Sequence, residues 1–414
     1  FHHYIHSNKK KMEILNDFQG KKKVYLVMNE FERYIDNYPE DIGNTSDQYF
    51  KITKNKLPNI LSRGFYKLWE MLNMFDLVDT SNPNFVSAHL AEGPGSFIQA
   101  TMFFRERYTK SSKNDKYYAV TLHPEDEGGH VPDLETTFIK HYSTEKPQRF
   151  ILHKTYSRAQ SGGFPDRDNG DITDPKTIEL FGGQMGTDKA HFITADGGIN
   201  WENETTQEQE SFRLIIGQIV AALKIQAPGG NFVCKFFETF TDTSLKLIYM
   251  LGQLYENVYM VKPLTSRSSN SEKYCVCMGF KYSANSDEYK KITKKMETLQ
   301  ETLHKDKKNN LCEIWSGIKL PNDFRLAMIY TNTFCANRQL KSMNEIVEFI
   351  KAQNYYGDVY QSHRQMQIDA SKWWIKMFLP DTTNYIEASQ PIKSYVENIQ
   401  GKNDKKAMEL KITQ

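Results

Sequence analysis

The sequence has no long hydrophobic run, few cysteines and little net charge. No apolar stretch approaches the roughly 20 residues of a membrane-spanning helix, and the start FHHYIHSNKKK has no apolar core of the signal-peptide type. The five cysteines are odd in number and are not clustered like a disulfide framework, which favours a reducing compartment. Because the first residue is not Met, we expect a chain that is trimmed or belongs to a longer protein. Together these absences predict a soluble, intracellular protein without membrane contact.

The net charge of +2 is too small for the chain as a whole to attract polyanions strongly. A nucleic-acid partner would therefore have to bind a local basic groove. Lysine and arginine cluster at Lys9–Lys11, at Lys21–Lys23 and between Arg105 and Lys116. Such clusters are more often solvated faces than binding sites, so they do not identify the groove.

Motifs of three other protein classes are also missing. The turn HLAEGPGSF lacks the G-x-G-x-x-G spacing of a dinucleotide site, which disfavours a nicotinamide oxidoreductase. It also lacks G-x-S-x-G, so Ser96 is not expected to be a hydrolase nucleophile. Cys275 and Cys277 form C-x-C within a predicted strand, and without a second pair of ligands we expect them to pack rather than bind metal. No metal site is predicted.

What the sequence does contain is an ordinary globular composition and a regular alternation of strands and helices. Hydrophobic residues make up 39% and charged residues 25% of the 414 residues. Six apolar segments are expected to be strands: NFVSAHL, KYYAVTLH, HFITADGG, NFVCKFF, NVYMVKP and KYCVCMGFKY. Helices separate them, apart from the last two strands. This order predicts an α/β fold with a Rossmann-like doubly wound sheet and an antiparallel edge strand.

Three regions follow from the pattern along the chain. Residues 1–50 are polar and are expected to be an extension, and residues 51–283 hold the α/β domain. Within that domain, the stretch 123–188 is rich in Gly, Asp and Pro and is expected to contain loops and at most one helix. Residues 284–414 contain charged and amphipathic helical segments, which we expect to pack on the core or to bind a partner.

Four chemically unusual groups lie at or near strand ends, where open α/β sheets bind their ligands. Glu92 follows a strand and precedes a Gly-Pro-Gly turn, and Asp196 ends the apolar run of ITADGG. Lys235 stands in the apolar strand GGNFVCKFF, where burying an ammonium group is costly unless it is paired or loses its proton. Glu272 enters the last strand. Taken singly, a simple strand-to-helix turn would explain Glu92 about as well, and turn capping is a fair rival explanation for Asp196. For Glu272 alone, a surface carboxylate is the stronger interpretation.

Five segments carry a resemblance to a known family. HLAEGPGSFI, DNGDIT, ITADGG, GGNFVCKFF and KPLTSRSSNSEKYCVC resemble, in order and context, the FtsJ/RrmJ-type RNA 2′-O-methyltransferases, and most of all their eukaryotic and viral mRNA cap-specific branch. The likeness covers roughly 61–282. The family uses a Lys-Asp-Lys-Glu tetrad, and the resemblance places it here at Lys67, Asp196, Lys235 and Glu272.

The resemblance gives Lys235 a chemical role as the general base. A ribose 2′-hydroxyl must lose its proton as it attacks, and a base for this step should have a pKa near neutral. An ordinary lysine, at about 10.4, is protonated, but burial and a second cation can lower its pKa by roughly 3–5 units. We therefore expect Lys235 to accept the proton, with Asp196 and Glu272 orienting it. Lys67 would tune it and position the attacking oxygen.

The resemblance also implies S-adenosyl-L-methionine as cofactor, with S-adenosyl-L-homocysteine as product. Asp171 would contact the adenine end, Asp196 would touch both cofactor and tetrad, and Thr121 or Leu122 would line the cofactor ribose. His89 departs from the family, since many members have Asp there, and Ser96 replaces a frequent Gly. The cofactor would lie over one turn, formed by Glu92, Gly93, Pro94, Gly95, Ser96 and Phe97.

The implied substrate is RNA, most of all the capped 5′ end of mRNA. Arg267, Ser268 and Asn270 precede Glu272 and are candidates for holding the RNA backbone, since arginine donates two bonds to a phosphate at once. Trp373 and Trp374 are candidate cap-stacking residues, although core packing is the stronger expectation for both. Capping or transcription proteins could bind the C-terminal region.

Three questions stay open on the sequence alone. A catalytically silent, FtsJ-like RNA-binding subunit of a capping or polyadenylation complex is the alternative to an enzyme. The Lys-, Asn- and Ile-rich composition suggests a large DNA virus, which would place the protein in the cytoplasm or the virion, whereas a cellular protein would be nuclear. Which transcribed nucleotide is modified does not follow from the sequence.

Overall fold

A computed structural model describes residues 2–125, 134–198, 204–283, 286–306 and 311–412, so residues 126–133 of the predicted loop stretch lie outside the described part. One sheet organises the chain, in the strand order β3-β2-β1-β4-β5-β7-β6. Strands β1 to β5 are parallel, and β7 runs antiparallel to both of its neighbours. The predicted α/β sheet with an antiparallel strand near one edge is confirmed. The strands are β1 Val86–Leu90, β2 Lys116–Val120, β3 Phe150–Leu152, β4 Ala190–Ala195, β5 Gln226–Phe236, β6 Tyr255–Val261 and β7 Lys273–Phe280.

Helices cover both faces of the sheet and extend beyond it. None of the described helices combines the length and apolar character that crossing a bilayer requires. The described α-helices are α1 His2–Lys11, α2 Ile42–Tyr49, α3 Ile52–Asn55, α4 Arg63–Met74, α5 Ser96–Tyr108, α6 Thr136–Ser143, α7 Arg158–Ser161, α8 Pro175–Met185, α9 Gln207–Ile225, α10 Asp242–Leu254, α11 Asp287–Lys305, α12 Asn322–Lys351, α13 Gly357–Phe378 and α14 Tyr385–Ile412. Short 3₁₀ helices lie at Met12–Phe18, Val24–Met28, Ser112–Asn114 and Glu204–Thr206.

The alternation of side chains along β5 decides what Lys235 faces. Cys234 and Phe236 pack into the core on the side of α8 to α11, whereas Val233 packs into the core on the side of α4 and α5. Because successive strand residues point to opposite faces, Lys235 shares the face of Val233. Helix α4 lies on that face with its apolar stripe buried, including Phe65. Lys67 of the same helix is thereby brought to the side of the sheet that Lys235 occupies.

The stretch 123–188 contains more regular structure than the sequence predicted. Strand β3 forms one edge of the sheet beside β2, and the same stretch contains helix α6 before this strand and helices α7 and α8 after it. The expectation of at most one helix was therefore wrong. A three-residue strand is too short for an alternating pattern to be read from the sequence. The three residues of β3 form a strand because they pair with β2 at the edge of the sheet.

The N-terminal and C-terminal regions pack against each other and against the α/β domain. Ile5 of α1 packs against α12, and Val27 packs against Ile346 of the same helix. At the other side, Trp374 of α13 is buried in the core of α4 and donates its indole N–H to Oε1 of Glu70 at 3.0 Å. The predicted boundaries at 50 and 283 therefore fall between segments that share one core.

Candidate active site

Four side chains from distant parts of the sequence meet at the carboxyl ends of β4 and β5. Asp196 directly follows β4, and Lys235 is the penultimate residue of β5. Glu272 immediately precedes β7, and because β7 is antiparallel to β5, its start lies beside the end of β5, where Lys235 pairs with Tyr274. Lys67 reaches the same place from α4. The four residues predicted as a tetrad are therefore neighbours in the structure.

The tetrad is arranged as two ion pairs. Lys235 Nζ lies 3.1 Å from Asp196 Oδ1, and Lys67 Nζ lies 2.7 Å from Glu272 Oε1. The side chains of Lys235 and Glu272 are only 11% and 12% exposed, so solvent screens these charges weakly. We predicted that Glu272 orients Lys235, but its carboxylate contacts Lys67 and acts on Lys235 only through its charge.

The charges around Lys235 set its proton affinity. Burial lowers the pKa of Lys235, but the carboxylates of Asp196 and Glu272 raise it more, so the pKa stands above the ordinary lysine value. Burial likewise raises the pKa of Glu272, while the ammonium groups of Lys67 and Lys235 outweigh it and hold that pKa well below its usual range. The expectation of a near-neutral lysine is therefore not met in the structure as it stands. The reason is that the negative charges of Asp196 and Glu272 stabilise the protonated form of Lys235.

Glu92 closes the amino end of α5 and keeps one oxygen unused. Its Oε1 accepts from the backbone N–H groups of Phe97 and Ile98, each at 2.8 Å. Its Oε2 is buried and has no hydrogen-bond partner among the described residues. Burial, followed by the charge of Asp196, raises the pKa of Glu92 to about 8. A buried acceptor without a partner is costly, and such an atom suits a ligand that brings a donor.

The turn after Glu92 packs closely against the body of the protein. Gly93 N–H donates to the Thr121 hydroxyl at 3.2 Å, which ties the turn to the end of β2. Pro94 O accepts from the Glu135 backbone N–H at 3.1 Å. Gly95 has a φ of +109°, and a Cβ there would lie 3.0 Å from a methyl of Leu134. The fit and the left-handed φ together explain the glycine.

Two residues of this turn direct their side chains into the body of the protein. The hydroxyl of Ser96 lies 2.6 Å from that of Ser62, the N-cap of α4. Phe97 is buried, and its ring centroid is 5.7 Å from that of Tyr274. Both residues could therefore contact a cofactor only through their backbone, as the resemblance allows.

The structure places the remaining predicted cofactor residues around the end of β2. Gly170 abuts the backbone oxygen of Thr121, so the loop that carries Asp171 lies against this strand end. The carboxylate of Asp171, however, accepts from the N–H and hydroxyl of Thr173 at 3.0 and 2.7 Å. Asp171 also lines a separate cavity with Arg213 of α9. Leu122 is partly buried just beyond β2, and an adenine contact for Asp171 stays a prediction.

His89 is a buried structural residue. Its two ring nitrogens lie 2.7 Å from the Thr194 hydroxyl and 2.9 Å from the Ser87 hydroxyl. Burial lowers the pKa of His89 to about 3, so the ring is neutral at physiological pH. The ring joins β1 to β4 inside the sheet. These bonds give His89 a structural role in the core.

Two residues close to the tetrad were missed in the sequence. Tyr274 donates its hydroxyl to Asp196 Oδ1 at 2.8 Å. Lys262 donates to the backbone oxygen of Glu272 and to Asn270 Oδ1, both at 2.8 Å. Burial, and then the charges of neighbouring lysines, lower the pKa of Lys262 to about 7. The signals were present, since Tyr274 comes two residues after Glu272 and Lys262 directly follows β6 at the start of the polar loop.

The predicted RNA-binding residues lie on the loop that leads to Glu272. Arg267 is exposed and its Nε is 3.3 Å from Glu32 Oε1, while the hydroxyl of Ser268 donates to that of Ser342 at 3.0 Å. Asn270 is exposed and accepts from Lys262, as described above. The tryptophan pair lies elsewhere: Trp374 is fully buried, and Trp373 packs edge-on against Phe31, Phe378 and Tyr395. Core packing, the stronger expectation for this pair, is what the structure has.

Comparisons with known proteins agree on one family. Residues 60–280 match the model of the FtsJ-like methyltransferases. The chain is 28% identical over 305 residues to cap-specific mRNA (nucleoside-2′-O-)-methyltransferase 1 of Caenorhabditis elegans, a match over 72% of this chain and 30% of that protein. It is 34% identical over 242 residues to the human protein of the same name, over 56% of this chain and 28% of that one.

The matched part is thus about a third or less of these relatives' own length. Among solved structures, a ribosomal RNA methyltransferase from Plasmodium falciparum is 19% identical with a TM-score of 0.35, and the match covers 53% of this chain and 97% of that one.

Proposed function

Because the chain belongs to the FtsJ-like methyltransferases, we propose that it transfers a methyl group from S-adenosylmethionine to a ribose 2′-hydroxyl of RNA. The substrate we propose is the cap-proximal nucleotide of mRNA, which the names of the relatives support. One observation carries the proposal: two partly buried ion pairs, Lys67–Glu272 and Lys235–Asp196, stand side by side at the carboxyl edge of the sheet.

The residues around Glu92 fit the proposed cofactor. S-adenosylmethionine has an ammonium group and two ribose hydroxyls, and the buried free oxygen of Glu92 would accept from such a donor. Asp196 and the backbone of Gly93–Phe97 would complete the cradle. When bound, S-adenosylmethionine supplies a methyl carbon on a positively charged sulfur, which leaves as neutral S-adenosylhomocysteine.

Lys235 is the group we assign to the proton of the 2′-hydroxyl. Its raised pKa means that it must first release its own proton, so the neutral form carries the reaction. Asp196 holds the amine in place, and Lys67, fixed by Glu272, positions the attacking oxygen. The amine of Lys235 would take the proton of the hydroxyl as that oxygen attacks the methyl group that the cofactor supplies. Fixed placement of the reacting groups supplies much of the remaining acceleration.

Product mapping tests this function. Capped and uncapped RNAs of one sequence are incubated with labelled S-adenosylmethionine, digested with nucleases and analysed by mass spectrometry. We expect label on the 2′-oxygen of one cap-proximal nucleotide, and the digest identifies whether it is the first or the second. Label on a base, or on internal riboses regardless of the cap, would refute the cap assignment. No transfer to either RNA, with S-adenosylmethionine and RNA both still bound, would favour the silent RNA-binding subunit.

A further inference from the structure

A basic groove opens beside the tetrad and is walled partly by α12, a helix outside the region that matches the family. Two of its lining residues, Lys262 and Ser266, bond directly to Glu272. Two carboxylates, Glu30 and Glu345, also line the groove. The cationic side chains that line it outnumber them, and they are Arg63, Lys262, Arg267, Arg338 and Lys341.

The buried face of α12 holds the helix against the loop that carries the predicted RNA-binding residues. Gln339 donates to the backbone oxygen of Ser269 at 3.3 Å, and Ser342 accepts from Ser268 at 3.0 Å. Near the start of the helix, Asn332 donates to the Thr239 backbone oxygen at 2.6 Å. These bonds fix the position of α12 relative to the tetrad. They therefore also fix which side chains of α12 lie on its opposite, exposed face.

That opposite face carries aromatic and then basic side chains in one row. Tyr330 is 75% exposed and Phe334 is 55% exposed, and Arg338 and Lys341 are exposed too. At 3.6 residues per turn the four positions lie within an arc of about 80°, and they span about 16 Å of helix. The Arg338 guanidinium is 5.7 Å from the Phe334 ring centroid, so the aromatic and basic parts adjoin. We call these four residues the α12 row.

Resting on the proposed function, we propose that the α12 row binds the single-stranded RNA that continues from the modified nucleotide. Exposed rings on which bases stack, combined with cations that follow the phosphates, are how proteins bind single strands without reading their sequence. The row ends in the groove beside Glu272, so one strand can occupy both. Leu326 and Ile329 are exposed near the start of α12 and would suit an apolar protein partner. The basic end of the row and its continuity with the site favour RNA.

The test compares capped RNAs of about 4 and about 16 nucleotides. Wild-type protein should show a lower KM for the longer RNA, because only that RNA reaches the row. Each of Tyr330→Ala and Phe334→Ala should reduce this advantage about tenfold, the worth of one stacked base. Lys341→Ala should lower the slope of log affinity against log salt by about one. Matched controls are Tyr356→Ala and Lys295→Ala, which remove exposed residues of the same types just before α13 and on α11.

Direct binding of the unmethylated 16-nucleotide RNA, followed by fluorescence anisotropy, separates this inference from the proposed function. If the wild-type protein transfers no methyl group, and the Tyr330→Ala variant binds the RNA more weakly than the wild type, the proposed function is wrong but RNA binding by the α12 row is supported. If methyl transfer is intact and the row variants match their controls in KM, affinity and salt slope, the row does not bind RNA. In that case the exposed rings of the row would either bind a protein partner or have no binding role.

Discussion

At the scale of single residues, Lys235 is the group whose chemistry depends most on its neighbours. The sequence alone identifies an unusual lysine in an apolar strand, and the structure supplies its partners. Asp196 forms an ion pair with Lys235, whereas Glu272 forms an ion pair with Lys67 and affects Lys235 through its charge. The two carboxylates raise the pKa of Lys235 in spite of its burial, so the neutral base is the minor form at physiological pH. The reaction should consequently speed up as pH rises.

Glu272→Gln should shift this pH dependence. Glu272 raises the pKa of Lys235, so removing its charge lowers that pKa and exposes the lysine to the unopposed cation of Lys67. The neutral base then forms at lower pH, and the inflection in log rate against pH should move downward. Single-turnover rates across the pH range measure the inflection independently of the maximal rate. Glu297→Gln, which removes a carboxylate paired with Lys224 at 2.9 Å, is the matched control and should leave the inflection in place.

If the inflection stays at the same pH in Glu272→Gln, the charge of Glu272 does not influence the pKa of the base. A rate that falls with pH in the wild-type protein would contradict the role of a lysine base altogether.

Prediction from sequence succeeded where a residue's place follows from its strand and failed where it follows from tertiary packing. Lys235 and Asp196 were found because parallel strands bring their carboxyl ends together. The partner of Glu272 could not be read in this way, since it depends on the register of the antiparallel strand β7 against β5. The raised pKa of Lys235 has the same origin, because it depends on the charges of Asp196 and Glu272, which come from two distant segments.

At the scale of elements, Glu70 joins three parts of the structure. Its carboxylate accepts from the backbone N–H groups of Leu264 and Thr265, at 2.6 and 3.0 Å, and from the indole of Trp374 at 3.0 Å. Helix α4, the loop before Glu272 and helix α13 thus share one buried acceptor. Nothing in the local sequence around Glu70 marks it, because its partners are close only in the folded chain.

Glu70→Ala should destabilise the protein strongly. The change leaves three buried donors without a partner, and each such group costs about 1–3 kcal/mol. We expect the free energy of unfolding to fall by about 3 kcal/mol or more, whereas Glu70→Gln, which keeps one acceptor oxygen, should cost less. Denaturant unfolding measures both. Equal losses for the two variants would mean that the side chain acts by its volume and not as an acceptor.

At the scale of the whole molecule, the α/β domain depends on the regions around it. Trp374 is fully buried among residues of α4, and Trp69 donates to the backbone oxygen of Phe378 at 2.8 Å. Ile42, from the segment predicted as a polar extension, is buried in the same core. The sequence did not indicate this, because the buried residues of this segment are scattered through a polar stretch and form no periodic pattern.

Trp374→Ala should show this dependence. Removing a buried tryptophan typically costs about 3–5 kcal/mol, and here it also removes a donor to Glu70. We expect unfolding of the α/β domain and the C-terminal helices to stay cooperative, with a clearly lower midpoint. Tyr356→Ala, at a site 83% exposed, should leave the midpoint nearly unchanged. A wild-type-like midpoint for Trp374→Ala would show that the two regions are stabilised separately.

The most direct test of the whole account is the rate of methyl transfer in a single turnover by Lys235→Met, compared with Lys246→Met. Lys246 is a lysine on α10 that is 4% exposed, against 11% for the Lys235 side chain, and it donates to Ile314 O at 2.8 Å, so its variant controls for the loss of a buried amine. We predict that Lys235→Met slows transfer about 100-fold or more while S-adenosylmethionine still binds, since general bases contribute at least this much. Lys246→Met should remain within a few fold of wild type. Transfer by Lys235→Met at the rate of its control would contradict the central claim that this amine takes the proton.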